Sequence, residues 1–328
     1  MEDVTGGDRG QLIVVTGLTI ALVLVVVVLL LNVEIYSSNL ATRSVGVESQ
    51  PVIEYQSTTV ENVGELLDQV NAHEYTGWSA VRTDVRENVS TYNDLVRRQH
   101  LDRGHVADID EPSLVVSDGY LIRQSNASRT FTSANTTTVN SSQGNWTVAW
   151  NVSGIRGHRL TVTESSLAQT NDPRAGFHVA VVENATNAQW HAYIYRNSTH
   201  VLLAVKNASE TSPTAFPDCA VSGPTATIDV TAGTVNGTAC PGLRWAAGVS
   251  GPYDVEYRNG EEARGTYELT VQRSDAMDTH RDTYLFDPTD GTSPYYSHAA
   301  YSLSLDLVYE TAAVHYRAPV RIAPGEPA

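Results

Sequence analysis

Tyr267-Glu-Leu-Thr-Val271 is the stretch that decides the fold class. Large apolar side chains fall at 267, 269 and 271, with Glu268 and Thr270 between them. A period of two marks a strand with one face on a core and the other in water. Comparable short runs, bounded by turn formers, occur at 113–124, 145–152, 158–164, 176–183, 189–196, 200–206, 225–231, 243–249, 253–258, 264–273, 299–310 and 313–322. Arg258-Asn-Gly-Glu261 reads as a type I′ hairpin turn between two of them. Many short strands with polar turns predict a mainly antiparallel, sandwich-like β domain over 112–324. The Ser/Thr/Asn-rich stretch 125–142 reads as an exposed loop.

Upstream of Asp108-Ile-Asp-Glu-Pro112 the spacing becomes helical. Val60, Val63, Leu67 and Val70 predict a helix over Thr59–Ala72, and Val81, Val85, Val89, Tyr92, Leu95 and Val96 a second over Ser79–His100. Gly77 separates them, which gives a helical hairpin over 54–106. Further upstream, Leu12–Leu31 is an uncharged apolar run of 20 residues. As a helix it would be about 30 Å long, the thickness of a bilayer's hydrocarbon core. It is longer than a signal-peptide core, and no small-residue cleavage site follows it. The expected helix spans 11–47, with Gln50-Pro51 as its break and the hairpin packed at its outer end. The expected class is therefore α+β: one N-terminal transmembrane helix, a short helical hairpin, then an extracellular β domain.

Arg9 and Arg43 flank the run one against one, so lysine/arginine bias does not orient it. Sequons do. Asn-x-Ser/Thr occurs at Asn88, Asn126, Asn135, Asn140, Asn145, Asn151, Asn184, Asn197, Asn207 and Asn236, which is 10 of 18 asparagines. With 61 serines and threonines in 328 residues, chance gives about three. All ten follow the run, so the N-terminus is expected in the cytoplasm and the rest outside, glycosylated. Net charge is −16, with 20 arginines and a single lysine, Lys206. Molar salt shortens the Debye length to about 3 Å and screens repulsion among such carboxylates, so the composition points to a halophile. No basic patch is present to neutralise phosphates, which disfavours nucleic acid as a partner. Cys219 and Cys240 are the only cysteines, and outside the cell two cysteines read as one disulfide.

At the border of the apolar run stands Asp8-Arg9-Gly10-Gln11-Leu12-Ile13. A basic residue and a glycine immediately before the hydrophobic segment resemble the class III signal of archaeal prepilins. The resemblance implies cleavage between Gly10 and Gln11, with 1–10 as a removable leader, and packing of the freed segment with other pilin-like subunits. An uncleaved anchor is the alternative. Val15 stands where type IV pilins carry glutamate, so the likeness does not extend to a main filament subunit. With Asn32-Val-Glu-Ile-Tyr-Ser-Ser-Asn-Leu-Ala-Thr-Arg43, Asn236-Gly-Thr-Ala-Cys-Pro-Gly-Leu-Arg-Trp245 and Gly265-Thr-Tyr-Glu-Leu-Thr-Val271, the chain looks like an uncharacterised family of haloarchaeal pilin-like membrane proteins. That implies a structural or interaction role in a cell-surface assembly.

No catalytic residue, cofactor or metal is expected. The sequence has no HExxH, GxSxG, phosphate-binding glycine loop or CxxC. Its ten histidines show no ligand spacing, although His178 and His191 fall on runs that can neighbour each other. Asp108-Ile-Asp-Glu111 and Asp287-Pro-Thr-Asp-Gly291 place carboxylates in expected loops without EF-hand spacing. Trp146, Trp150, Trp190 and Trp245 fall in expected strands as core residues. The alternatives to a surface subunit are a tethered glycan- or solute-binding ectodomain, favoured by a tryptophan-lined pocket, and a tethered hydrolase.

Overall fold

The computed structural model describes residues 50–134, 141–287 and 293–327. Two helices come first. The described part of α1 covers residues 50–71, and α2 is Trp78–Leu101. Gly77, in an extended conformation, opens α2. Fourteen strands follow among the described residues, in two antiparallel sheets. The eight-stranded sheet runs β10 (Thr238–Ala239), β9 (Thr234–Val235), β8 (Thr225–Asp229), β3 (Ile155–Thr163), β12 (Gly265–Gln272), β1 (Val106–Gln124), β13 (Tyr295–Glu310), β14 (His315–Ile322). The six-stranded sheet runs β2 (Trp146–Val152), β11 (Tyr253–Arg258), β4 (Phe177–Glu183), β5 (Gln189–Arg196), β6 (Val201–Lys206), β7 (Thr214–Ala215). One further helix, α3, is Asp275–Tyr284, capped by the Ser274 hydroxyl on the Met277 N–H.

The layers follow from residue alternation. In β12, Tyr267, Leu269 and Val271 are buried against β11, β4 and β5 of the second sheet, where Tyr257, Phe177, Val179 and Trp190 meet them. The ring of Tyr257 stands edge-on to Tyr267 at 5.0 Å. The hairpin covers the opposite face of the eight-stranded sheet. Val63, Leu67, Val81, Val85 and Val89 pack on Ala107, Ile109, Leu303, Leu305, Leu307 and Tyr309 in a second core. β13 records both environments. Its lower half alternates, with Leu303, Leu305, Leu307 and Tyr309 buried and Ser304, Asp306, Val308 and Glu310 partly exposed; its upper half, covered on both faces, is almost continuously buried.

The expected α+β class with a membrane-spanning helix is corrected. The described structure is mainly antiparallel β, and the hairpin is a layer on the sheet. No helix among the described residues is long and apolar enough to cross a membrane. The run Leu12–Leu31, the helix expected over 11–47 and the processing residues Arg9, Gly10 and Gln11 lie outside the described residues. Gln50 and Pro51, expected as a break, are helical. Among the described residues α2 packs on β1 and β13, and the contact expected between the hairpin and the outer end of the apolar helix lies outside the described residues.

Further corrections concern the β region. β1 starts at Val106, so Asp108–Glu111 lies within a strand and not in a loop; the irregularity that Pro112 announces is a bulge between Asp110 and Val115. Arg258–Glu261 is not a hairpin. Asn259 is left-handed, but the chain continues into a short 3-10 turn and crosses from one sheet to the other. Gly265 then enters β12 at φ +152, where a Cβ would lie 1.9 Å from the Thr161 carbonyl oxygen. Residues 243–249 form turns, with Ala246 and Gly248 at positive φ. In the expected exposed loop 125–142, Phe131, Ser133 and Ala134 are fully buried.

Candidate functional site

A cavity of about 470 Å³ lined by charged side chains lies between α1, the eight-stranded sheet and the C-terminal segment. Arg123 of β1, Arg156 and Arg159 of β3, Glu268 of β12, Asp229 of β8 and Asp68 of α1 line it. Arg156 is buried. Its Nη1 donates to Asp68 (2.7 Å) and the Pro324 carbonyl (3.1 Å), its Nη2 donates to the Ala300 carbonyl (3.2 Å), and its Nε has no partner. Arg123 donates to Glu268 (3.1 Å), and Arg159 pairs with Asp229 (3.4 Å). Each guanidinium faces a carboxylate, so the wall presents alternating charge and no cationic field. What it achieves is a junction: helix, sheet and C-terminal tail meet on Arg156. β3 places that residue there by turning Ile155 toward the sandwich core and Arg156 toward the hairpin.

A cleft of about 400 Å³ lies between α1 and α2, lined by Tyr55, Thr59, Tyr92, Leu95, His100 and Tyr309. It sits at the end of the molecule where the described chain begins, since Pro51 also lines it. The ring of Tyr55 lies 5.7 Å from both His100 and Tyr309.

His178 and His191 do lie on neighbouring strands. Their rings are 5.3 Å apart, and the Tyr193 ring stacks on His191 and packs at a tilt against His178. Burial pushes His178 down to about 4, with the Arg258 charge adding to it. Burial, then His178, Arg258 and Lys206, push His191 down to about 3. His158, sealed between the sheets and bonded through Nε2 to the Tyr257 hydroxyl (2.9 Å), is also pushed to about 3 by burial. These are neutral, structural histidines near pH 7. Among the described residues, no group of three or more His, Cys, Asp or Glu could hold a metal ion.

The other expected residues separate cleanly. Cys219 and Cys240 form a disulfide, with Cα atoms 5.5 Å apart. It closes the segment that carries the turns at 241–249 onto the sandwich core. Trp146 and Trp190 are buried core residues; Trp245 is packed on that core from a turn, not a strand. No tryptophan lines the cavity or the cleft. Of the sequons, Asn88, Asn126, Asn145, Asn151, Asn184 and Asn236 are exposed and Asn197 and Asn207 half-exposed; Asn135 and Asn140 lie outside the described residues. Sequence reasoning missed Arg156 and two buried helix asparagines, Asn71 and Asn93. A polar residue inside each helix's apolar stripe was the available signal.

The described residues thus define a disulfide-stapled β-sandwich carrying a helical hairpin on its outer sheet. Residues 6–152, somewhat less than half of the chain, are similar to a family described as "Family of unknown function (DUF7261)". No curated protein and no solved structure matches the chain.

Proposed function

We propose that this chain is a pilin-like surface protein of a halophilic archaeon, attached to the membrane through its N-terminal apolar run. The β domain stands outside and works by contact rather than catalysis. The observation that carries this is the disulfide between Cys219 and Cys240, because such bonds persist outside the reducing cytosol. The apolar run is the element that holds the exported chain at the membrane. Three further features support the proposal. The described chain begins at the hairpin end of the molecule, so a membrane tether leaves the sandwich pointing away from the bilayer. The cavity is charge-balanced and carries no reacting constellation. The tryptophans that would serve a sugar platform are spent on packing.

Processing is the experimental handle. In a host with its prepilin peptidase, the mature chain should begin at Gln11, and Gly10→Val should retain the leader while still fractionating with membranes. A wild-type chain that keeps Met1 or Glu2 at its terminus, or keeps the same mass when the peptidase is deleted, removes the pilin-like part and leaves a plain anchored surface protein.

A further inference from the structure

The sequons are not equivalent. N-glycosylation forms a bond between the asparagine Nδ2 and C1 of a sugar, so the state of that nitrogen matters. At Asn126, Asn145, Asn151, Asn197 and Asn236 the side-chain carbonyl is held and the nitrogen is not. Asn126 Oδ1 accepts from the Ser128 N–H (3.0 Å), Asn145 Oδ1 from the Asn259 N–H (2.8 Å), and Asn236 Oδ1 from the Thr227 N–H (2.8 Å). Asn197 Oδ1 accepts from the N–H groups of Thr199 and His200, both at 2.8 Å. Asn151 Oδ1 accepts from Asn184 Nδ2 (2.7 Å). Among the described residues, none of these five Nδ2 atoms donates to the protein.

The other three are the reverse. Asn88 Nδ2 donates to the Asp84 carbonyl (2.8 Å), Asn184 Nδ2 to Asn151 and to Asp254 (3.2 Å), and Asn207 Nδ2 to Glu210 (3.2 Å). Asn207 Oδ1 is moreover buried without a partner. A sugar takes one of the two N–H groups on such a nitrogen, so Asn184 would give up one of its two bonds, and at Asn88 and Asn207 the sugar would crowd the one bond that the nitrogen donates.

Position follows the same division except at Asn151, which lies beside Asn184 on the lower rim. β1 rises from Val106, beside Glu310 at the hairpin end, to Gln124, beside Tyr267. Its 19 residues cover about 60 Å. Asn126 directly follows its upper end. Asn145 and Asn197 flank β2 and β5 at the level of the 259–264 crossover, and Asn236 lies level with Thr227 and its partner Thr161 at that same end. Four of the five free nitrogens therefore crowd the end farthest from residue 50. The three engaged ones lie on α2 or on the lower rim of the six-stranded sheet.

We infer that Asn126, Asn145, Asn151, Asn197 and Asn236 are the described glycan-bearing positions, and that they form a carbohydrate cap chiefly over the membrane-distal end. This rests on the export proposed above. The donor is an oligosaccharide joined through C1 to a lipid phosphate. The C1–O bond breaks, the Nδ2–C1 bond forms, and the phosphorylated lipid leaves with the electron pair and takes up the Nδ2 proton. Each asparagine keeps one N–H, and its carbonyl bond survives. At the linked pair the sugar goes to Asn151, with the Asn184 amide still donating to it.

The test is site-by-site glycopeptide mass spectrometry on the unaltered full chain from its own host, which requires no variant to fold. Outward exposure is checked separately by labelling intact cells at Lys206 with a membrane-impermeant amine reagent. Expected are glycans at the five positions and bare Asn88, Asn184 and Asn207. An outward-facing chain with glycans on those three at equal occupancy, or with none on the five, overturns the inference while leaving export standing. Lys206 reactive only after lysis overturns export and this inference together.

Discussion

His158, His178 and His191 each bind a proton far more weakly in the folded chain than the ordinary imidazole value of 6.5. The unfolded chain therefore holds the extra protons between pH 6.5 and the folded values. Stability falls as pH drops through that window, by up to about 1.4 kcal/mol per pH unit for each proton. Above it the three groups contribute no slope. The denaturation midpoint in molar salt should drop between pH 6.5 and 5, before most carboxylates titrate, and His191→Phe should flatten the slope by close to one proton. An unchanged slope would mean that His191 is not held neutral by burial. The cysteines give a second residue-level expectation. Their bond spans 21 positions, a loop length for which the chain-entropy account gives about 3 kcal/mol. The double variant Cys219→Ser, Cys240→Ser should lose stability of that order in equilibrium unfolding. A loss near zero would show that the turns at 241–249 are held by packing alone.

Two asparagines fix the helical hairpin to the sheet. Asn71 of α1 donates to the Ala300 carbonyl (2.8 Å) and accepts from the Ala300 N–H (2.9 Å). Asn93 of α2 does the same with Ile109, at 3.1 and 2.8 Å. Each side chain imitates a neighbouring strand at one residue, and both are buried. Removing Asn93 leaves the buried Ile109 N–H and carbonyl unpaired, and removing Asn71 leaves the Ala300 N–H unpaired while Arg156 still donates to its carbonyl; an unpaired buried group costs about 1–3 kcal/mol. Asn93→Ala should therefore lower global stability by that amount and speed hydrogen exchange at Ile109 more than at Leu269. Equal exchange at both would count against a local clamp. Much of this level could be read in advance. The strands with alternation, such as β12 and the lower half of β13, are where the sequence places them, because one face is wet and the other dry. The misreadings have physical causes. In β1, Asp108 and Asp110 resemble turn residues, but this stretch is unpaired on its β12 side. Asp110 is satisfied across the sheet by Arg317, which also pairs with Asp306. α3 has a single buried residue, Met277, so it shows no apolar stripe; its Ser274 cap and acidic first turn were the only signal. Residues 243–249 are apolar because they pack on the core from turns.

At the scale of the molecule, a net charge of −16 makes compaction costly at low ionic strength. Shortening the Debye length from about 10 Å at 0.1 M to about 3 Å at 1 M relieves that cost. The thermal midpoint should rise steadily with sodium chloride across this range, and a flat response would detach the acidic surface from salt adaptation. The cavity at Arg156 could not be foreseen, because it joins α1, β1, β3, β8, β12 and the C-terminal tail, segments brought together only by the finished topology. The sequons were all legible as motifs. Which nitrogens are free was not, because at several sites that depends on partners distant in sequence, such as Asn259 for Asn145 and Asp254 for Asn184. Everything proposed about role depends on the β domain standing outside the cell, and Lys206 offers a direct readout. It is the single lysine, partly exposed on β6. Intact cells treated with a membrane-impermeant amine reagent should yield the Lys206 peptide labelled to the same extent as lysed cells, with no label on that peptide in Lys206→Arg. Labelling of Lys206 only after lysis would contradict the account.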